Sequence, residues 1–174
     1  MRSKPTCFAD RTATDRRRLA ALLAAVVAAS IWPAVPAGAT ACDAPLNGTY
    51  TAFSDGQWAQ TRDSYHDEAT VMATWTINST CSSFQDCAGQ VTSDQGWTAA
   101  AYCQSGLWHV SHDIPNWEPC PDGTAASGHQ VFIFSSLNDP NEFSGWDKTI
   151  GASGACGINQ WQTVRMPFKL TKIE

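Results

Sequence analysis

Between residues 69 and 77 apolar and polar side chains alternate, with Val71, Ala73, Trp75 and Ile77 on one side and Thr70, Met72, Thr74 and Thr76 on the other. A period of two is that of a β-strand with one buried face. The pattern returns near the C-terminus, where Val164, Met166, Phe168 and Leu170 alternate with Thr163, Arg165, Pro167, Lys169 and Thr171. Pro167 lacks a ladder donor, which predicts an edge or a bulge at that point. The run Val131-Phe132-Ile133-Phe134 is apolar on both sides, as in a central strand covered twice. Shorter stretches over residues 48–53, 88–92, 98–104 and 107–113 are rich in Thr, Val, Tyr or Ala and are bounded by Gly, Asp, Asn or Ser. Seven or eight strands are predicted, and a short helix fits only residues 58–68.

Turn chemistry separates these runs. Ser54-Asp55-Gly56, Ser105-Gly106 and Pro121-Asp122-Gly123 all carry a glycine that reaches positive φ at no steric cost. Residues 114–128, with Pro115, Pro119 and Pro121, and residues 135–159, with four glycines, read as long irregular stretches. Loops of that length are uncommon unless they are functional or stapled. Many short strands separated by turns predict an all-β fold, an antiparallel barrel or sandwich.

The first 41 residues differ from the rest. Arg16-Arg17-Arg18 precedes fourteen uncharged residues, 19–32, and these are followed by Pro33, Pro36 and the small-residue run Ala37-Gly38-Ala39-Thr40-Ala41. This is the three-part pattern of a secretory signal peptide, so residues 1–41 are expected to be removed, leaving one secreted domain over residues 42–174. The apolar run is shorter than the roughly 20 residues that span a bilayer, and no later segment is as apolar, so no membrane span is expected after cleavage. Cys42 directly after Ala41 has the position of a lipoprotein cysteine, and Arg16-Arg17 also allows the twin-arginine route.

Residues 42–174 hold five basic side chains against fourteen acidic ones, a net charge of −9. A domain of that charge with no basic stripe repels phosphate, which excludes a nucleic-acid partner. The same residues contain six cysteines, Cys42, Cys81, Cys87, Cys103, Cys120 and Cys156. An even set in an exported chain reads as a disulfide framework. Spacing favours Cys81 with Cys87 and, across one hairpin, Cys103 with Cys120; Cys42 is then left for Cys156. The spacings do not suit structural zinc, and neither a metal nor a cofactor is expected.

Catalytic signatures are absent. His109 and His112 would point to opposite faces of a strand, no G-x-S-x-G elbow is present, and an even disulfide set leaves no thiol. Seven tryptophans remain after residue 41. Trp75 and Trp108 alternate into the core, whereas Trp117, Trp146 and Trp161 fall in or beside the two long stretches. Amphipathic rings there could build a binding wall, with Asp147, Asp139 and Glu142 nearby. The expected function is binding, without catalysis, of a small apolar or cationic ligand or of an envelope or host protein. The ligand-binding residues would be Trp117, Trp146, Trp161 and Asp147. The alternatives are an extracellular hydrolase using carboxylates or histidines, or a purely structural envelope protein.

Leu46-Asn47-Gly48-Thr49-Tyr50 on the first strand and Arg165 on the last resemble the G-x-W and terminal-arginine pattern of the lipocalin and calycin barrels, with Tyr50 in place of the tryptophan. The resemblance implies that Tyr50 and Arg165 pack together to close the barrel base while the open end holds a small apolar ligand. The runs Gly48-Thr49-Tyr50-Thr51, Ala73-Thr74-Trp75-Thr76-Ile77 and Cys87-Ala88-Gly89-Gln90-Val91-Thr92-Ser93-Asp94 are also similar to small secreted proteins of mycobacteria and related actinobacteria. That similarity implies export and an envelope location.

Overall fold

The alternation read at residues 69–77 continues through the whole of β4 (Val71–Ser83), where Ala73, Trp75, Ile77 and Ser79 are buried and the residues between them exposed. The computed structural model describes Cys42, residues 44–136 and residues 139–174; the predicted signal peptide lies outside these. β1 (Gly48–Ser54) pairs with β4, which is followed in the sheet by β5 (Asp86–Ser93), β6 (Thr98–Gln104), β7 (Leu107–Pro119), β8 (Ala125–Ser136), β9 (Glu142–Gly151) and β10 (Thr163–Lys172). Every pairing is antiparallel, and β10 closes on β1 from Tyr50↔Lys172 to Ser54↔Phe168. The fold is an eight-stranded closed up-and-down barrel, the all-β class that the alternation predicts. Two further strands of two residues each, β2 (Gln60–Thr61) and β3 (Ser64–Tyr65), lie against the free part of β10. They and a 3-10 turn at Gly56–Trp58 occupy the segment read as a short helix.

Eight strands leave an interior just wide enough for side chains, and aromatic rings fill it. Trp75 is 1% exposed and meets Phe132 edge-on at 4.8 Å between centroids, with Phe168 and Trp97 each at 5.4 Å. Phe134 and Phe143 continue the column toward Tyr50. The open, ligand-holding interior implied by the calycin resemblance is therefore taken by packed rings. Tyr50 packs against Phe143 inside, whereas Arg165 lies outside the wall over Trp146, so the two do not join at a base.

The two stretches read as irregular contain strand, residues 114–119 and 125–128 in the first and 135–136 and 142–151 in the second. β7 runs to Pro119 and β8 begins at Ala125, joined by a turn in which Gly123 donates to the Cys120 carbonyl. The prolines fit because β6 pairs with β7 only as far as Val110; beyond it, β7 bonds to β8 alone and its other edge needs no donors. A bulge between Ile114 and Glu118, with Asn116 at φ 56°, absorbs the rest. Pro167 is not at an edge. It sits where β10 changes partner from β2 to β1, and its carbonyl accepts from the Asp55 N–H on that side. A strand residue's N–H and C=O point the same way, so the missing donor faces the changeover, where no ladder bond is lost.

The disulfides are Cys42–Cys103, Cys81–Cys87 and Cys120–Cys156. Only the first-named sequence expectation, Cys81 with Cys87, matches; the pairings Cys103–Cys120 and Cys42–Cys156 are corrected. The reason is strand length. The hairpin after Cys103 turns at Ser105-Gly106, both at positive φ, and β7 then carries the chain over thirteen residues to the opposite end of the barrel before Cys120. At about 3.3 Å per residue that distance is several times the reach of a disulfide. Cys42 instead crosses the end where Cys87 and Cys103 are cross-strand neighbours, donating its N–H to the Phe84 carbonyl. With its sulfur bonded to Cys103, Cys42 has no thiol to acylate.

Two outcomes follow for the folded protein. Trp75→Ala should cost about 3–5 kcal/mol in urea unfolding, whereas Trp58→Ala, at a residue 62% exposed, should change stability by less than about 0.5 kcal/mol. Peptide mapping without reduction should recover Cys42 linked to Cys103; Cys42 linked to Cys156 would contradict this topology.

Candidate functional site

Because the sheet is closed, each strand presents alternate residues to its inner and outer faces. On the outer face, register sets Ile133 beside Trp146 and Pro167, and one step along sets Val131, Lys148, Arg165 and Gln60 in a row across β8, β9, β10 and β2. Ile133, Trp146, Val131, Lys148, Arg165 and Gln60, with Thr163 and with Asp63 from the β2–β3 turn, line a groove of about 430 Å³. Ile133 is 37% exposed and Trp146 41%. The run Val131–Phe134 is therefore covered on one face only: Phe132 and Phe134 enter the core, and Val131 and Ile133 line the groove. The Arg165 guanidinium lies 3.6 Å from the centroid of the Trp146 ring, a cation–π contact that holds the exposed indole in place.

Asp147 is the next residue to Trp146 and, by the same alternation, lies on the opposite side of the wall. It is 1% exposed, accepts from the Ser54 hydroxyl at 2.8 Å and from the Gln130 amide at 2.8 and 2.9 Å. Burial raises its carboxyl above the ordinary aspartate range, and the bonds from Ser54 and Gln130 offset part of that. The group is a hydrogen-bonded acid in the core, sealed from solvent. Further toward the same end of the barrel, His112 stacks on Trp97 at 4.1 Å, and the Trp97 Nε1 and His112 Nε2 atoms are buried without a protein partner.

The structure does not bring Trp117, Trp146, Trp161 and Asp147 together. Trp117 covers Gly128 of β8 so closely that a Cβ there would stand 2.7 Å from its ring, and it reaches toward Gly151. It thus packs on the end of the long β7–β8 hairpin. Trp161, 57% exposed, precedes β10, and among the described residues no ring contact joins it to Trp117 or Trp146. Asp139 and Glu142 lie at the start of β9, at the disulfide end with Cys42, and Glu142 is engaged by Lys169 at 3.2 Å. Lys148, Val131, Ile133 and Gln60 were not among the residues singled out from sequence; only the outer half of an alternating strand points to them.

The histidines are dispersed. His109 stacks on Tyr102 at 4.9 Å, where desolvation lowers its pKa, His129 pairs with the exposed Asp113 at 2.8 Å, and His66 with Glu68 at 3.2 Å. Among the described residues no group of three or more His, Cys, Asp or Glu could hold a metal ion, and no helix is long and apolar enough to cross a membrane.

No protein-family model matches the chain, and no curated protein matches it in sequence. Among solved structures it is similar to the sensor domain of PknI from M. tuberculosis in its monomer form. The TM-score is 0.54 at 12% identity, over 75% of this chain and 88% of that one. At that identity the likeness establishes the fold, and a fold hosts many functions.

The raised Asp147 pKa has a pH signature. A carboxyl raised in the native state contributes its full stability below its unfolded value, about 3.9, and loses it as pH climbs through the raised value. Asp147→Asn removes that titration while keeping an acceptor for Ser54. Urea midpoints of the variant relative to the wild type should therefore rise with pH above about 4; a difference that stays flat with pH would show that Asp147 ionises in the fold without cost.

Proposed function

We propose that this protein is a secreted binding domain of the cell envelope whose ligand site is the groove around Trp146. The observation that carries the reading is an indole left 41% exposed and pinned by Arg165 over a groove with apolar walls. A barrel interior filled by rings directs binding to the outer wall, and the groove's volume is that of small-molecule sites. Three disulfides fit an oxidising compartment, the pattern of residues 1–41 fits export, and a protein of similar fold is named as a sensor domain. The ligand is a small molecule with an apolar body. Trp146 is the member of the sequence-derived set that lines the groove; Trp117 and Trp161 are not part of its lining.

The test uses octanoate, octyltrimethylammonium and octyl glucoside, each below its micelle concentration, as probes sharing one tail. At least one should shift the Trp146 indole N–H resonance saturably, and Trp146→Ala should abolish its binding while changing stability by about 1 kcal/mol or less. If none of the three perturbs Trp146, or if Trp146→Ala unfolds the protein, Trp146 is a packing residue and the reading fails.

A further inference from the structure

The cross-strand partner of Arg165 is Lys148. Two like charges directly opposite on one face of an antiparallel pair destabilise it, and here no acid neutralises them: among the described residues neither cation forms an ion pair, although Lys169 on the same strand finds Glu142. Among the described residues, Asp63 is the only acidic one lining the groove. The lining therefore holds two cations against one acid, in a domain with net charge −9. Such clustering against the overall sign marks a place where negative charge is to be held.

From this arrangement we infer that the ligand is a small amphiphilic anion. Its carboxylate or equivalent acidic head bridges the Lys148 ammonium and the Arg165 guanidinium, and its apolar body lies along Val131, Ile133 and the open part of the Trp146 ring. The inference rests on the groove being the ligand site and replaces the sequence expectation of an apolar or cationic ligand. Arg165 then has two tasks, since one face of its guanidinium covers Trp146 while its edge N–H donors remain for an anion; a planar guanidinium can do both. A small ligand is favoured over an anionic polymer or membrane because residues 42–174 carry fourteen acidic side chains against five basic ones. An extended anionic surface would meet their repulsion, whereas a single head group meets only the local cations.

The probes of the preceding test distinguish these statements. With the purified protein, octanoate should bind at Trp146 about ten-fold more tightly than octyltrimethylammonium or octyl glucoside. Lys148→Gln should weaken octanoate several-fold, and Lys148→Glu should reverse the preference toward octyltrimethylammonium. Lys169→Gln, outside the groove, should leave all three unchanged, and the Trp146 indole resonance of each variant should keep its position without ligand. Equal binding of the three probes, or tighter binding of the cation to the wild type, would overturn the anionic assignment while leaving the groove as a site. Failure of all three to perturb Trp146 would overturn the site itself. Binding to phosphatidylglycerol vesicles with none to monomeric octanoate would overturn the small-ligand assignment in favour of a membrane surface.

Discussion

Closure of the sheet between β1 and β10 is the constraint on which everything else depends. Once Tyr50 through Ser54 are paired with Lys172 through Phe168, no strand can slip by one residue without exchanging its two faces. The inner positions must then fill a lumen of fixed diameter. Trp75, Phe132, Phe134, Phe143 and Phe168 do so with large rings in edge-on and tilted contact, and what is left over for binding is the outer wall. The same closure that seals the core thereby leaves the outer wall as the surface open to solvent.

Trp146 and Asp147 show how sharply the wall divides chemistry. They are adjacent in sequence, yet one is an exposed ring under a guanidinium and the other a buried acid between Ser54 and Gln130. Asp147 spends two hydrogen-bond partners on the cost of its burial and still has its carboxyl raised. Its partners come from β1 and β8, so the acid ties its own strand, β9, to β8 beside it and, past β10, to β1. A polar tie of this kind specifies register more than it adds stability.

The parts of this architecture that were legible in the sequence are those governed by period two. β4 and β10 announced themselves, and so did the turns at Ser105-Gly106 and Pro121-Asp122-Gly123. What escaped was anything decided by how far a strand extends. Pro115 and Pro119 read as loop because a proline in a paired strand removes a ladder bond, and sequence alone does not reveal that β7 outruns β6. That one length error produced the wrong partners for Cys42, Cys103, Cys120 and Cys156, since the hairpin was judged short enough for Cys120 to return to Cys103. A separate error, reading residues 135–159 as irregular and so missing β9, set Trp146 and Trp161 beside Trp117 in one imagined loop cluster. The Val131–Phe134 run failed for a different reason: Val131 and Ile133 are apolar because they line a groove, and an apolar outer face looks in sequence like a second layer of core.

Local charge runs against global charge at the groove, whose lining sets Lys148 and Arg165 against Asp63 among the described residues. With only five cations in residues 42–174, random scatter would seldom place two of them as direct cross-strand neighbours with neither in an ion pair. Each could be relieved by a neighbouring carboxylate, as Lys169 is by Glu142, and an uncompensated pair costs stability in the empty protein. A cost of that kind at a site is recovered when an anion binds, because the repulsion between Lys148 and Arg165 becomes attraction toward a shared head group. On the proposed reading, the acidic remainder of the surface would repel larger anionic partners, so that size as well as sign would select the ligand.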